Sequence, residues 1–237
     1  QQKVIAVSED VAESIKAHYK RPDPQIEIVL NGTNTEKYNR SWSNGQNIRT
    51  ELGIPESAIV IGIACVFRVQ KRLLTWLEIA SQLHQRFPEV HFIVAGDGPL
   101  KDEVHAKAKE LNTESYVHFV GLQAEIRPYL KAMNIFMMSS EFEGLPIALL
   151  EAMSMECMPA CTAAGGIPEL IKHNSNGILV PVNDPMQLVN ELAPYISAPE
   201  KIEQAAQAAR STIESNFSIK RMVSEIETIY TELLKTK

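Results

Sequence analysis

The chain has 237 residues, 45% hydrophobic and 22% charged, with a formal charge of −6 at pH 7. That length holds one large α/β domain, or a domain and part of another, around a sizeable core. The acidic balance speaks against a duplex nucleic-acid binder, which shows a basic patch or stripe, and no run of about 18 apolar residues is present to span a bilayer.

Taken in chain order, the sequence opens at Gln1-Gln2-Lys3 without an initiating Met or a signal-peptide pattern and enters an apolar run at once. A fragment of a longer protein is expected. Short apolar runs bounded by turns predict strands at Val4 to Val7, Ile26 to Leu30, Ala58 to Val66, His91 to Ala95, Val117 to Val120, Ile135 to Met138, Met158 to Cys161 and Gly177 to Val180. Helical periodicity predicts helices at Glu9 to Tyr19, Arg72 to Arg86, Leu100 to Leu111, Ile126 to Met133, Pro146 to Glu156, Pro185 to Ile196, Lys201 to Glu214 and Ile219 to Leu234. Between the second strand and the third, Thr33 to Asn47 is polar and aperiodic, with Asn31-Gly32 before it and Asn44-Gly45 near its end, and reads as a linker or surface loop.

Central runs such as Ile59 to Val66 are apolar at consecutive positions, as in strands buried on both faces. Strands alternating with helices then predict an α/β, Rossmann-like doubly wound parallel sheet with extra helices at the C-terminal end. In such a sheet ligands bind beyond the carboxyl ends of the strands, so the loops that follow strands are where function is sought.

The three cysteines, Cys65, Cys157 and Cys161, lie in or beside apolar runs and read as structural thiols of a reducing compartment. Neither they nor the six histidines recur at a metal-ligand spacing, so no metal site is expected. Gly96-Asp97-Gly98-Pro99 lacks the G-x-G-x-x-G spacing of a dinucleotide site and reads as a structural turn.

The run Ser139 to Met153, SSEFEGLPIALLEAM, carries the strongest chemical signal. It reads as a strand end, a loop, then a helix begun by Pro146 and apolar on all faces, within which Glu151 stands alone. No Lys or Arg on that helix can neutralise Glu151, and burying an unpaired carboxylate costs several kcal/mol. At ~1.5 Å per residue Glu151 lies about 7.5 Å from Pro146, near the end of the helix that faces the crevice and favours a phosphate. Glu143, in the loop before it, is a second carboxylate beside the same helix start, with Gly144 permitting close backbone approach. The plainer alternative makes Glu143 an exposed loop acid and Glu151 a satisfied core acid.

Glu143-x7-Glu151 with Gly144, followed by Ala163-Ala164-Gly165-Gly166-Ile167-Pro168-Glu169-Leu170 and Asn176-Gly177-Ile178-Leu179-Val180-Pro181, resembles the C-terminal half of the retaining GT-B-fold glycosyltransferases of family 4. Val7-Ser8-Glu9, Leu30-Asn31-Gly32, Val94 to Leu100 and His118 to Gly121 match in the same order. The resemblance implies one half of a GT-B fold: residues 1–30 as a remnant of the N-terminal acceptor domain, 31–45 as linker, 46–215 as the nucleotide-sugar-binding domain, and 216–237 as a helix crossing back. It implies a donor that is a UDP- or GDP-sugar, no essential metal, a glycan or lipid-linked acceptor bound through the N-terminal domain, and a cytoplasmic location or a peripheral one at the inner membrane face. By the same resemblance Glu143 meets the donor sugar and Glu151 the ribose; Gly144, Leu145 and Pro146, with the Gly165-Gly166 turn, line the diphosphate or sugar; and Val120 seats the base. Lys71 and Arg68 neutralise the diphosphate, although Arg68 stands only three residues before Lys71, where many members place the Arg at the position of Val66. A nucleotide-binding module without transferase activity and a GT-B-fold sugar-nucleotide epimerase are the other readings.

Overall fold

The computed structural model describes residues 3–18 and 25–235. A small parallel pair, β1 (Lys3–Ala6) and β2 (Gln25–Ile28), flanks α1 (Glu9–His18). Tyr19, expected to end that helix, lies outside the described residues. The main body runs through α2 (Ile48–Glu51), β3 (Val60–Ala64), α3 (Leu73–Arg86), β4 (His91–Ala95), α4 (Lys101–Glu110), β5 (Val117–Gly121), α5 (Arg127–Ala132) and β6 (Ile135–Met138). It continues with α6 (Ile147–Ser154), β7 (Met158–Thr162), α7 (Ile167–Leu170), β8 (Ile178–Val180), α8 (Gln187–Ile196), α9 (Pro199–Asn216) and α10 (Ile219–Lys235). The predicted strands and long helices are all present, most with ends within about two residues, and β3 is shorter than its apolar run at both ends.

The six strands β3 to β8 form one parallel sheet in the order β5-β4-β3-β6-β7-β8. The chain builds outward from β3 in one direction, then returns to begin again at β6. Right-handed crossovers therefore send the helices after β3 and β4 to one face and the helix after β6 to the other. This reversal opens a crevice beyond the carboxyl ends of β3 and β6. Both strands are buried almost throughout, as their continuous apolar runs require. Trp76 of α3 locks one layer onto the sheet: it is fully buried, meets Phe92 edge to face at 5.8 Å, and donates its indole N–H to the Met137 carbonyl at 2.9 Å. Gly62 in β3 makes room for Met133, which an added Cβ would approach to 2.4 Å.

The segment between β2 and α2, read as a linker or surface loop, crosses the domain as a pinned strap. Arg40 donates to the carbonyls of Met133, Met155 and Glu156, and Lys131 to that of Trp42 at 2.8 Å. The three carbonyls that Arg40 meets lie just past α5 and α6, where a cation complements the helix dipole. α2, only one turn long, escaped the sequence reading; Asn47 caps it by accepting from the Thr50 N–H. At the other end of the chain, α10 meets the first residues through Arg221, which donates to the Leu30 carbonyl at 2.6 Å, and through the Lys3–Glu232 ion pair at 3.2 Å.

His91 and His118, on neighbouring strands, bring ring nitrogens to 3.3 Å. Burial comes first in holding both imidazoles below the ordinary value; His84 and Arg49 add to it for His91, and His91 adds to it for His118. A histidine whose folded pKa is depressed contributes full stability above its unfolded pKa and loses it as pH falls below that point. Urea unfolding should therefore show stability declining from pH 7 to pH 5, with a shallower decline in His118→Gln; an identical pH slope in the two proteins would contradict this assignment.

Candidate active site

The crevice between β3 and β6 is walled by the two loops that leave those strands, and backbone bonds tie the loops together. Glu141 donates its N–H to the Gln70 carbonyl at 2.8 Å, while the Ser139 hydroxyl reaches the carbonyls of Lys71 and Arg72 at 3.2 and 3.0 Å. The first loop tightens into a 3-10 turn over Val69–Lys71, closed by Arg72 at φ 48°. A left-handed Arg is costly, and here it is held by the Val182 carbonyl at 2.7 Å and by Glu141 at 3.1 Å. The Gly96 to Gly98 turn supports this loop as a structural element: an added Cβ on Gly96 would lie 1.9 Å from the Cys65 carbonyl oxygen.

This geometry carries Lys71 across the crevice to Glu143, Nζ to Oε1 2.6 Å, with the two side chains only 17% and 10% exposed. The two residues assigned from sequence to phosphate and sugar thus form an ion pair. Arg68, assigned beside Lys71, precedes the 3-10 turn instead of lying within it; its side chain is exposed and, among the described residues, has no ion-pair or hydrogen-bond partner. Val66 is 48% exposed at the mouth of the same loop.

The second loop feeds α6, which has no acidic residue in its first turn and no side-chain cap. Among the described residues the N–H groups of Gly144, Leu145, Ile147 and Ala148 find no protein acceptor, so the helix start is equipped to receive an anion. Pro146 contributes no N–H; its carbonyl instead starts the helix by accepting from Leu149 and Leu150. Leu145 is buried and anchored through its carbonyl by the Asn31 amide at 2.8 Å.

The glycines of this region serve backbone packing. A Cβ on Gly144 would come within 3.2 Å of Val7, so this glycine admits the segment that leads into α1. Gly165, at φ 55°, would place a Cβ 1.7 Å from the Glu143 carbonyl oxygen, and the Gly166 N–H donates to the Gly144 carbonyl at 2.8 Å. The pair thus brings a second turn directly against the loop that presents Glu143.

The expectation that α6 is buried on all faces needs correction. Leu149, Leu150, Ala152 and Met153 are fully buried, but Ile147 is 54% exposed and Glu151, one turn further on, is half-buried on the same side. Glu151 therefore looks out through an open stripe. Burial pushes its carboxyl up; the Tyr38 hydroxyl and Lys37 oppose the shift, while Glu125 adds to it. Tyr38 and Lys37 belong to the strap, which the sequence reading left without a role.

Val120 sits near the end of β5, and its carbonyl accepts from the side-chain amide of Gln123. Just beyond, Arg127 pairs with Glu125, drawing that carboxyl down to about 2, and lies 4.1 Å over the Trp42 ring. Among the described residues no group of three or more His, Cys, Asp or Glu is placed to hold a metal ion. Chemically the crevice offers a cation, free N–H donors at a helix start, and two carboxylates on either side of them.

Residues 44–212 match the family of glycosyl transferases group 1. The chain is 26% identical over 215 residues to N-acetyl-alpha-D-glucosaminyl L-malate synthase of Bacillus anthracis, covering 91% of this chain and 56% of that protein. It is 25% identical over 233 residues to UDP-Gal:alpha-D-GlcNAc-diphosphoundecaprenol alpha-1,3-galactosyltransferase of Escherichia coli, covering 97% and 60%. Among solved structures it resembles Anabaena Alr3699/HepE in complex with UDP and glucose, with a TM-score of 0.87 at 24% identity, covering 97% of this chain and 63% of that one. The chain thus spans less than two thirds of the length of each of these proteins. With the family match covering most of the sheet and both walls of its crevice, the chain belongs to the glycosyl transferases group 1 family.

Proposed function

We propose that the complete protein transfers a sugar from a nucleoside diphosphate donor to an acceptor hydroxyl with retention at the anomeric carbon, and that this chain supplies the donor-binding wall. The observation that carries this reading is the Lys71–Glu143 pair set beside the open start of α6, at the reversal point of the sheet.

When the glycosidic bond breaks, negative charge grows on the leaving diphosphate. The N–H groups of the α6 start, and Lys71 once it has turned from Glu143 to the bound diphosphate, lie where such charge is stabilised. Arg68, exposed and without a side-chain partner among the described residues, adds a second cation at the mouth. Glu143 orients sugar hydroxyls once Lys71 turns to phosphate, and Glu151, on the open stripe of α6, accepts from the ribose hydroxyls. The Val120 end of β5 seats the base. In this reading the cation and the helix start take the place that a divalent metal fills in other transferases.

We further place the acceptor, a glycan or a lipid-linked glycan, on an N-terminal domain outside this chain, in keeping with the longer relatives. The protein would then work in the cytoplasm, at the inner membrane face where the acceptor is lipid-linked. Its three unpaired cysteines accord with a reducing compartment.

Calorimetric titration of the chain with UDP and GDP tests the site directly. Lys71→Ala should weaken the preferred nucleotide by roughly tenfold or more, since every ~1.4 kcal/mol is a factor of ten, whereas Arg68→Ala should have a smaller and more salt-sensitive effect. Glu151→Gln should weaken UDP and UDP-sugar by similar factors. Transfer of radiolabelled sugar by the complete protein tests the reaction itself: nucleotide binding with no transfer to any glycan acceptor would leave a binding module in place of the transferase, and release of an epimerised sugar would indicate an epimerase.

A further inference from the structure

Near the amino ends of β3 and β6, at the end of the sheet opposite the crevice, the strap, α2 and α5 line a cavity of about 390 Å³ that opens to solvent. Three cations stand on its wall: Arg40 from the strap, Arg49 from α2 and Lys131 from α5. Arg72, Arg127, Arg210 and Arg221 each meet a carboxylate elsewhere in the domain. Among the described residues, the three cations of the cavity have none within ion-pair distance.

What they meet instead is neutral oxygen. Arg49, only 9% exposed, donates to the carbonyls of Ala132, Glu56 and Ala58 at 3.1, 2.9 and 2.7 Å and to the Asn134 side chain at 2.7 Å. Arg40 reaches its three carbonyls through one terminal nitrogen, leaving Nε and the other terminal nitrogen without a protein oxygen among the described residues. Lys131 gives one of its three N–H donors to the Trp42 carbonyl. Such bonds fix where the charges stand but do not cancel them. Glu56 is the one acid on the cavity wall, its carboxylate accepting from the Asn47 amide at 3.0 Å, and the ends of α5 and α6 add only partial negative charge. Burial comes first in lowering the Arg49 guanidinium, with Glu56 opposing and Arg40 adding, so the two arginines lie within each other's field.

We infer that this cavity is a binding site for a small phosphate-bearing anion, separate from the donor crevice. A phosphate group carries roughly −1.5 to −2 charges at neutral pH and several strong acceptor oxygens pointing in different directions. That suits cations converging from three elements better than a planar carboxylate with a single charge does. Arginine grips such oxygens through its forked N–H groups, and lysine acts as a compact charge. Arg40 and Lys131 supply the spare donors, and Arg49 supplies buried positive charge behind them. The amide side chains of Gln46 and Asn47 on the same wall are suited to hydroxyls of an attached sugar. The volume falls within the roughly 300–1,000 Å³ of small-ligand pockets.

Calorimetric titration of the whole chain with inorganic phosphate and with glucose 1-phosphate, at fixed ionic strength with chloride as the balancing anion, is the test. At least one probe should bind saturably, and Lys131→Gln and Arg40→Gln should each weaken it by roughly tenfold or more. Lys71→Ala removes the cation of the donor crevice and should leave this binding within about twofold of the wild type. Arg40 also pins the strap, so its variant can lose stability; Lys131→Gln gives up only the bond to Trp42 and keeps the test decisive, its thermal midpoint without ligand reporting that it folds. On saturation the amide resonances of Asn47, Arg49 and Lys131 should move. Absence of saturable binding of either probe overturns the inference, as does binding that Lys131→Gln leaves intact, binding that Lys71→Ala abolishes, or resonance shifts confined to the start of α6.

Discussion

The Lys71–Glu143 ion pair is the constraint around which the crevice is arranged. Two charges largely withdrawn from water repay their desolvation only if geometry is good and neighbouring groups are satisfied. Here they meet because β3 and β6 are adjacent in the sheet though far apart in sequence, and because each strand releases its loop at the same edge. The cost of presenting Lys71 appears in the backbone as the left-handed Arg72, and it is offset by the bonds from Ser139, Glu141 and Val182. The pair thus holds its cation in a defined position at the crevice.

The rest of the domain can be understood as support for that arrangement. The Gly165-Gly166 turn lies in backbone contact with Glu143 and Gly144, too close for any Cβ. The residues around Val7 press on the same loop, and Asn31 ties down Leu145. Segments before β3 thus brace the loop between β6 and α6. The strap does the equivalent for Glu151, with cations that also complement the C-terminal ends of α5 and α6. Arg40 and Arg49 bond to backbone carbonyls and Asn134, whereas the Arg68 side chain has no partner among the described residues.

Much of this was legible in the residues. Consecutive apolar positions in Val60–Ala64 and Ile135–Met138 announced buried parallel strands, and the acid-loop-proline-helix pattern of Glu143 to Glu151 pointed to an anion site. What escaped was whatever depends on partners distant in sequence or on elements too short to show a period. α2 and the 3-10 turn are single turns. Arg72 carries none of the Gly or Asn signals that mark a left-handed residue. The strap is polar and aperiodic, so nothing in its own composition reveals that Arg40 and Tyr38 pin it to the ends of α5 and α6. Likewise Arg68 and Lys71 look equivalent as neighbouring cations, until the intervening turn brings only Lys71 to Glu143.

If the pair is a preformed stand-in for the diphosphate, Glu143 competes with the ligand for Lys71 and repels the incoming phosphates. The affinity of Glu143→Gln for UDP and GDP, measured against the wild type at low and moderate salt, addresses that directly. The account predicts that the variant binds the preferred nucleotide diphosphate several-fold more tightly, with the gain shrinking as salt rises. Equal or weaker binding in the variant would contradict a site in which Glu143 occupies Lys71 until the diphosphate takes its place.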